Sequence, residues 1–145
     1  MFEHILVPID GSSTARQAID KALAIAQAFK SSVTLIYVID PYAFTGVGND
    51  FSYGQAEYLA AATAEANESI GAARRVFEAK GIAVNGSVVE GHAVYQAILD
   101  TAESLNADLV VMGSHGRRGL EKLVLGSVTA QVLSHAHLSV LVVRD

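Results

Sequence analysis

Residues Val110–Leu133, VVMGSHGRRGLEKLVLGSVTAQVL, decide how the rest of the chain is read. The run begins inside an apolar stretch, Leu109–Met112, passes through glycines at 113, 116, 119 and 126, and enters a helical pattern at Ser127–Ser134. A short stretch that is apolar at successive positions fits a strand covered on both faces, as in a parallel sheet. Glycine lets backbone N–H groups approach an anion with no Cβ in the way. The pair Gly126-Ser127 falls at a helix start, where free N–H groups and the helix dipole favour phosphate. There Ser127 can cap the helix and donate its hydroxyl. Arg117, Arg118 and Lys122 place three of the chain's ten basic residues within six positions. One such glycine would read as an ordinary turn with solvated cations beside it. Cations gathered among four glycines in an acidic chain read as a phosphate site.

The same alternation extends outward from this stretch. Further strands are expected at His4–Ile9, Val33–Ile39, Ala83–Val89 and Ser139–Val143, and only Ala83–Val89 is polar enough to suggest a sheet edge. Helices are expected at Ala15–Phe29, with Thr14 and Gln17 as a capping box, at Gln55–Lys80, closed by Gly81, and at Val94–Leu105. Strand and helix alternate throughout, which implies right-handed crossovers and an open, doubly wound α/β sheet. No linker, repeat or low-complexity tract divides the chain, so residues 1–145 read as a single domain. Residues 40–54, DPYAFTGVGNDFSYG, read as one long connection, either a surface loop or a binding loop.

Composition removes several classes of function. The 145 residues are 51% hydrophobic and 17% charged, with mean hydropathy +0.34, which excludes disorder as the dominant state. There is no cysteine, so disulfides, Cys-ligated zinc, iron–sulfur clusters and thiol chemistry are excluded. A net charge of −5 provides no global field for nucleic acid. The apolar runs are too short for membrane insertion, and MFEHILVPIDG lacks the basic flank of a signal peptide, so a cytoplasmic location is expected.

Ligands of open α/β sheets bind beyond the carboxyl ends of the strands, where the strand order reverses. Asp10-Gly11-Ser12-Ser13 follows the first strand, Asp40-Pro41 the second and Glu90-Gly91-His92 the third. A P-loop is absent, as is a G-x-G-x-x-G after the first strand. A receiver domain would carry a phosphoacceptor aspartate after the third strand, where Glu90 stands.

The spacing Gly113-x-x-Gly116, nine residues, then Gly126-Ser127 resembles the G-2x-G-9x-G-[ST] signature of nucleotide-binding universal stress proteins. HILVPIDGS, YVID and the final SVLVV resemble that family as well, and the likeness spans residues 1–145. It implies a five-stranded parallel sheet of order 3-2-1-4-5, which sets the ends of strands one and four side by side. It implies an adenine nucleotide (ATP, ADP or AMP) with Pro8, Ile9 and Asp10 at the adenosine end, and Val38 contacting adenine through its backbone beside Met112. Gly113, Ser114, His115, Gly116 and Arg117 would follow the ribose and phosphates, with Arg118 and Gly119 nearby. Gly126, Ser127, Val128 and Thr129 would hold the phosphates through N–H and hydroxyl groups, with Mg2+ or Mn2+ bridging them. The likeness further implies a homodimer through Ser139–Val143; an unidentified regulatory protein partner is expected besides.

Three functions stay open at this point. The first is a ligand-dependent regulatory or stress-response module. The second is a slow ATPase or phosphotransferase using the same cleft, with Arg117 or Arg118 as the cation. The third is a nucleotide-free interaction scaffold. The motif holds no glutamate or glutamine poised to position water, which favours binding over catalysis. Asp10 also has a plain role available, an Asx-turn at a strand end. His115 has no orienting acid in sequence, and His135 with His137 lacks a third metal ligand. His4 and His92 carry no signal, and Asp40 reads as turn chemistry before Pro41.

Overall fold

The computed structural model describes residues 1–41, 51–116 and 125–144. Five strands form one parallel sheet: β1 (His4–Pro8), β2 (Ser32–Ile39), β3 (Val84–Glu90), β4 (Leu109–Gly113) and β5 (Ser139–Val143). Their spatial order is β3-β2-β1-β4-β5, as the likeness implied. Helices α1 (Ser13–Phe29), α2 (Phe51–Glu78), α3 (Val94–Ser104) and α4 (Ser127–His135) alternate with them.

The continuous apolar runs have a simple cause. Successive residues of a strand point to opposite faces, and here both faces are covered. Ile5, Val7, Val33, Leu35 and Val111 pack with Ala18, Ala22 and Ala26 of α1 and Ile70 and Phe77 of α2. Leu6, Ile36, Val110 and Met112 pack the other way, against Ile98 and Ala102 of α3 and Val132 of α4. Burying each of the larger side chains contributes about 1.5–3 kcal/mol. β3 lies at one margin and alternates between half-buried and exposed positions, in keeping with its polarity. Within it, a Cβ on Gly86 would collide with the Ile70 side chain, so α2 rests directly on this strand's backbone.

Most boundaries shift by one to four residues from the sequence expectations, and the starts of three helices bear on the site. The cap of α1 is Ser12, whose Oγ accepts from Ala15 N–H at 3.2 Å. Thr14 therefore lies inside the helix, and the Thr14–Gln17 capping box does not form. α2 starts at Phe51, so 51–54 belong to the helix rather than to the long connection; the rest of that stretch from 42 to 50 lies outside the described residues. The N-cap of α4 is Gly126, in extended conformation, and Ser127 is the first helical residue instead of the cap. No helix among the described residues is long and apolar enough to cross a membrane.

Candidate functional site

The strand order places the C-terminal ends of β1 and β4 next to each other, with Ile5 paired to Leu109 and Leu6 to Val110. Beyond β1, the Ile9 N–H still donates to the Ile36 carbonyl at 2.8 Å, while Pro8 offers no N–H and ends the strand. Asp10 follows. Its Oδ1 accepts from the Ser12 N–H at 2.9 Å, the Asx-turn that strand ends favour. Its other oxygen faces the second loop: a Cβ on Gly116 would lie 2.5 Å from Asp10 Oδ2. The backbone at 116 can stand beside this carboxylate because residue 116 has no side chain.

The glycine turn leaves β4 at Gly113, and Ser114 fixes it from two sides. The Ser114 N–H donates to the Val143 carbonyl of β5, and the Ser114 carbonyl accepts from the Gly126 N–H, both at 2.8 Å. A Cβ on Gly126 would approach the His115 Cα to 3.0 Å. The two halves of the glycine signature, thirteen residues apart from 113 to 126, are thus in backbone contact at the start of α4. Ser127 is exposed and Val128 half-buried in the first turn of that helix. There the leading N–H groups have no partner within the helix.

Several of the expected site residues also have structural positions of their own. The buried Thr129 hydroxyl donates to the Gly113 carbonyl at 2.9 Å, so it braces the turn from beneath. His115 is half-buried, with Nδ1 3.2 Å from Ser114 Oγ. Met112 is buried in the core beneath the turn, and Val38 stands further out, on the far side of β1. Arg117, Arg118, Gly119 and Lys122 lie outside the described residues.

Other arrangements carried no usable sequence signal. The Tyr37 hydroxyl reaches the Asp10 carbonyl at 3.4 Å. Asp40 and His92 meet across the ends of β2 and β3, with Nδ1 and Oδ2 3.3 Å apart. The His4 ring bridges Thr34 Oγ1 (2.8 Å) and Ser32 Oγ (3.1 Å). The Tyr95 and His135 rings stack with centroids 5.0 Å apart. Each joins residues distant in sequence, so only the register could have revealed them.

Chemically, the site sets the glycine turn and the first turn of α4 beside one carboxylate, an arrangement suited to seating a polar ligand on main-chain N–H groups. Among the described residues no group of three or more His, Asp or Glu side chains could hold a metal ion.

Residues 1–144 match the sequence profile described as the Universal stress protein family. Universal stress protein MJ0531 of Methanocaldococcus jannaschii is 34% identical over 144 residues, covering 99% of this chain and 83% of the relative. The solved structure of universal stress protein UspA from Lactobacillus plantarum has a TM-score of 0.88 at 29% identity, covering 99% and 98% of the two chains. A universal stress protein solved in complex with cAMP has a TM-score of 0.64 at 25% identity, covering 99% and 97%. A profile match over nearly the whole length, together with a shared sheet, shows that this chain belongs to the universal stress protein family.

Proposed function

We propose that this protein binds an adenine nucleotide (ATP, ADP or AMP) in the cleft between Asp10 and the glycine turn, and acts as a ligand-dependent regulatory module of the stress response. The observation that carries this reading is the 2.8 Å bond from the Gly126 N–H to the Ser114 carbonyl, which joins the two halves of the glycine signature at a helix start. A related protein's complex with cAMP supports the choice of an adenine ligand. Pro8, Ile9, Asp10, Val38 and Met112 form the adenosine side; residues 113–117 and 126–128 follow the ribose and phosphates, with Arg118 and Gly119 alongside. The Thr129 hydroxyl is already bonded to Gly113, so Thr129 acts by bracing the turn. Asp10 is the only carboxylate placed against the turn among the described site residues, so a bridging Mg2+ or Mn2+ would be held chiefly by the phosphates. The module is one domain spanning 1–145, cytoplasmic, and dimeric through Ser139–Val143.

The test is direct. Protein purified without added nucleotide is denatured and the released small molecules are identified by mass spectrometry. ATP is then titrated into stripped protein by calorimetry, with Gly113→Val and Gly126→Val alongside. The expected result is a bound adenine nucleotide and a Kd raised at least about tenfold, roughly 1.4 kcal/mol, in both variants. A folded wild-type protein that releases no nucleotide and gives no heat would sink the proposal and favour the scaffold reading. Sustained turnover that is lost in Ser127→Ala would replace it with the ATPase reading.

A further inference from the structure

Thr14 sits in the first turn of α1, yet its hydroxyl serves the loop after β4. The side chain is completely buried, and Oγ1 donates to the His115 carbonyl. A threonine hydroxyl has one proton, so the 3.2 Å contact with Ser12 Oγ is a bond that Ser12 donates. Ser12 in turn accepts from the Ala15 N–H, and its own N–H donates to Asp10 Oδ1. A continuous chain of hydrogen bonds therefore runs from the Asp10 carboxylate through Ser12 and Thr14 to the carbonyl at 115. Thr14 also fills the space over Gly113, where a Cβ would come within 2.8 Å of its Oγ1 and 2.9 Å of its Cβ. Thr14 is thus the side chain that meets both ends of the turn's first half, at 113 and at 115.

We infer that Thr14 is a positioning residue for the glycine turn: its hydroxyl holds the 113–116 backbone against α1 and so sets the approach of that turn to Gly126. For its effect on ligand affinity this rests on the nucleotide reading above; for its effect on the turn it does not. Threonine suits the role better than its near-isostere valine, because a part-buried carbonyl left without its donor is costly. Serine retains the donor and loses only a methyl group.

The experiment compares Thr14→Val and Thr14→Ser with the wild-type chain by amide hydrogen exchange. The reporters are Ser114 and Gly126, whose N–H groups close the turn, and Leu35 in the core. In Thr14→Val the turn amides are expected to exchange about tenfold faster relative to Leu35, and in Thr14→Ser to return to near wild-type rates. Uniform acceleration at all three sites, or none, would reduce Thr14 to a packing residue and overturn the inference. Thr14→Ala gives the same comparison should valine prevent folding. In the companion ATP titration, Thr14→Val is expected to raise Kd about tenfold and Thr14→Ser to leave it near wild type. Equal affinity in wild type and Thr14→Val would overturn the effect of Thr14 on the ligand. A wild-type chain that binds no ATP would refute the nucleotide reading instead, and the exchange data would still decide the role of Thr14.

Discussion

The glycines at 113 and 116 belong to one motif, but their surroundings differ. At 116 the nearest neighbour of an added Cβ is a side-chain carboxylate oxygen, Oδ2 of Asp10. At 113 the neighbours are the Oγ1, Cβ and backbone carbonyl carbon of Thr14, at 2.8, 2.9 and 3.1 Å, none of which can swing aside. Gly116→Ala should therefore keep its stability within about 1 kcal/mol while displacing Asp10, whereas Gly113→Ala should lose about 1–3 kcal/mol through overpacking. Urea denaturation of the two variants checks the contrast, and equal losses would contradict it. At this scale the glycine spacing was legible because backbone approach requires that residue type. The role of Thr14 was not. A threonine just after a strand-end turn reads as a cap, and only the fold shows that its hydroxyl crosses to residue 115. The contact of the Tyr37 hydroxyl with the Asp10 carbonyl likewise exists only once β2 is set beside β1.

Between elements, the ends of β1 and β4 away from the cleft are stitched by Asp108. Its carboxylate accepts from the N–H groups of Glu3 at 2.9 Å and His4 at 3.0 Å, and its own N–H donates to the His4 carbonyl at 3.0 Å. Desolvation by burial pulls this carboxyl upward, but the backbone N–H groups of Glu3 and His4 outweigh it and hold it below the ordinary 3.8. A depressed carboxylate stabilises the fold fully above its unfolded value and loses that contribution as pH falls through the folded one. Asp108→Ala should then cost about 1–3 kcal/mol at pH 7. The difference from wild type should hold from pH 8 to 5 and shrink below about pH 4, as read from denaturation midpoints. A difference that grew on acidification would refute the assignment. The alternation of elements was legible because strands buried on both faces and helices buried on one leave different periods. The boundaries were less so. Phe51–Gly54 reads as loop by composition, since Ser and Gly are weak helix formers, yet it forms the first turn of α2. Thr14 reads as the cap of α1 in sequence, but its side chain is taken up by residues 113 and 115, and Ser12 caps the helix instead.

For the whole molecule, strand order is the property that local pattern reaches least. Alternation alone gives a doubly wound sheet. That β1 lies between β2 and β4 was expected only through the family likeness of the glycine signature. The order leaves β5 at a margin, with Leu141 38% exposed on it and Leu133 of α4 43% exposed. A margin bearing apolar side chains invites pairing with a second chain. Light scattering at micromolar concentration should give about twice the 15.2 kDa chain mass, and Leu141→Lys should return the monomer with its fold intact. A wild-type monomer under those conditions would refute the proposed dimer.

The peptide units around Ser114 join the glycine turn to that margin, since the Ser114 N–H is bonded to the Val143 carbonyl and its carbonyl to the Gly126 N–H. A ligand that stiffens the turn would also stiffen the end of β5, with one residue between occupancy and assembly. Coupling of this kind runs equally in both directions. Under the proposed function, dilution alone would loosen the hold on nucleotide, and the protein's abundance in the cell would set its sensitivity to the ligand.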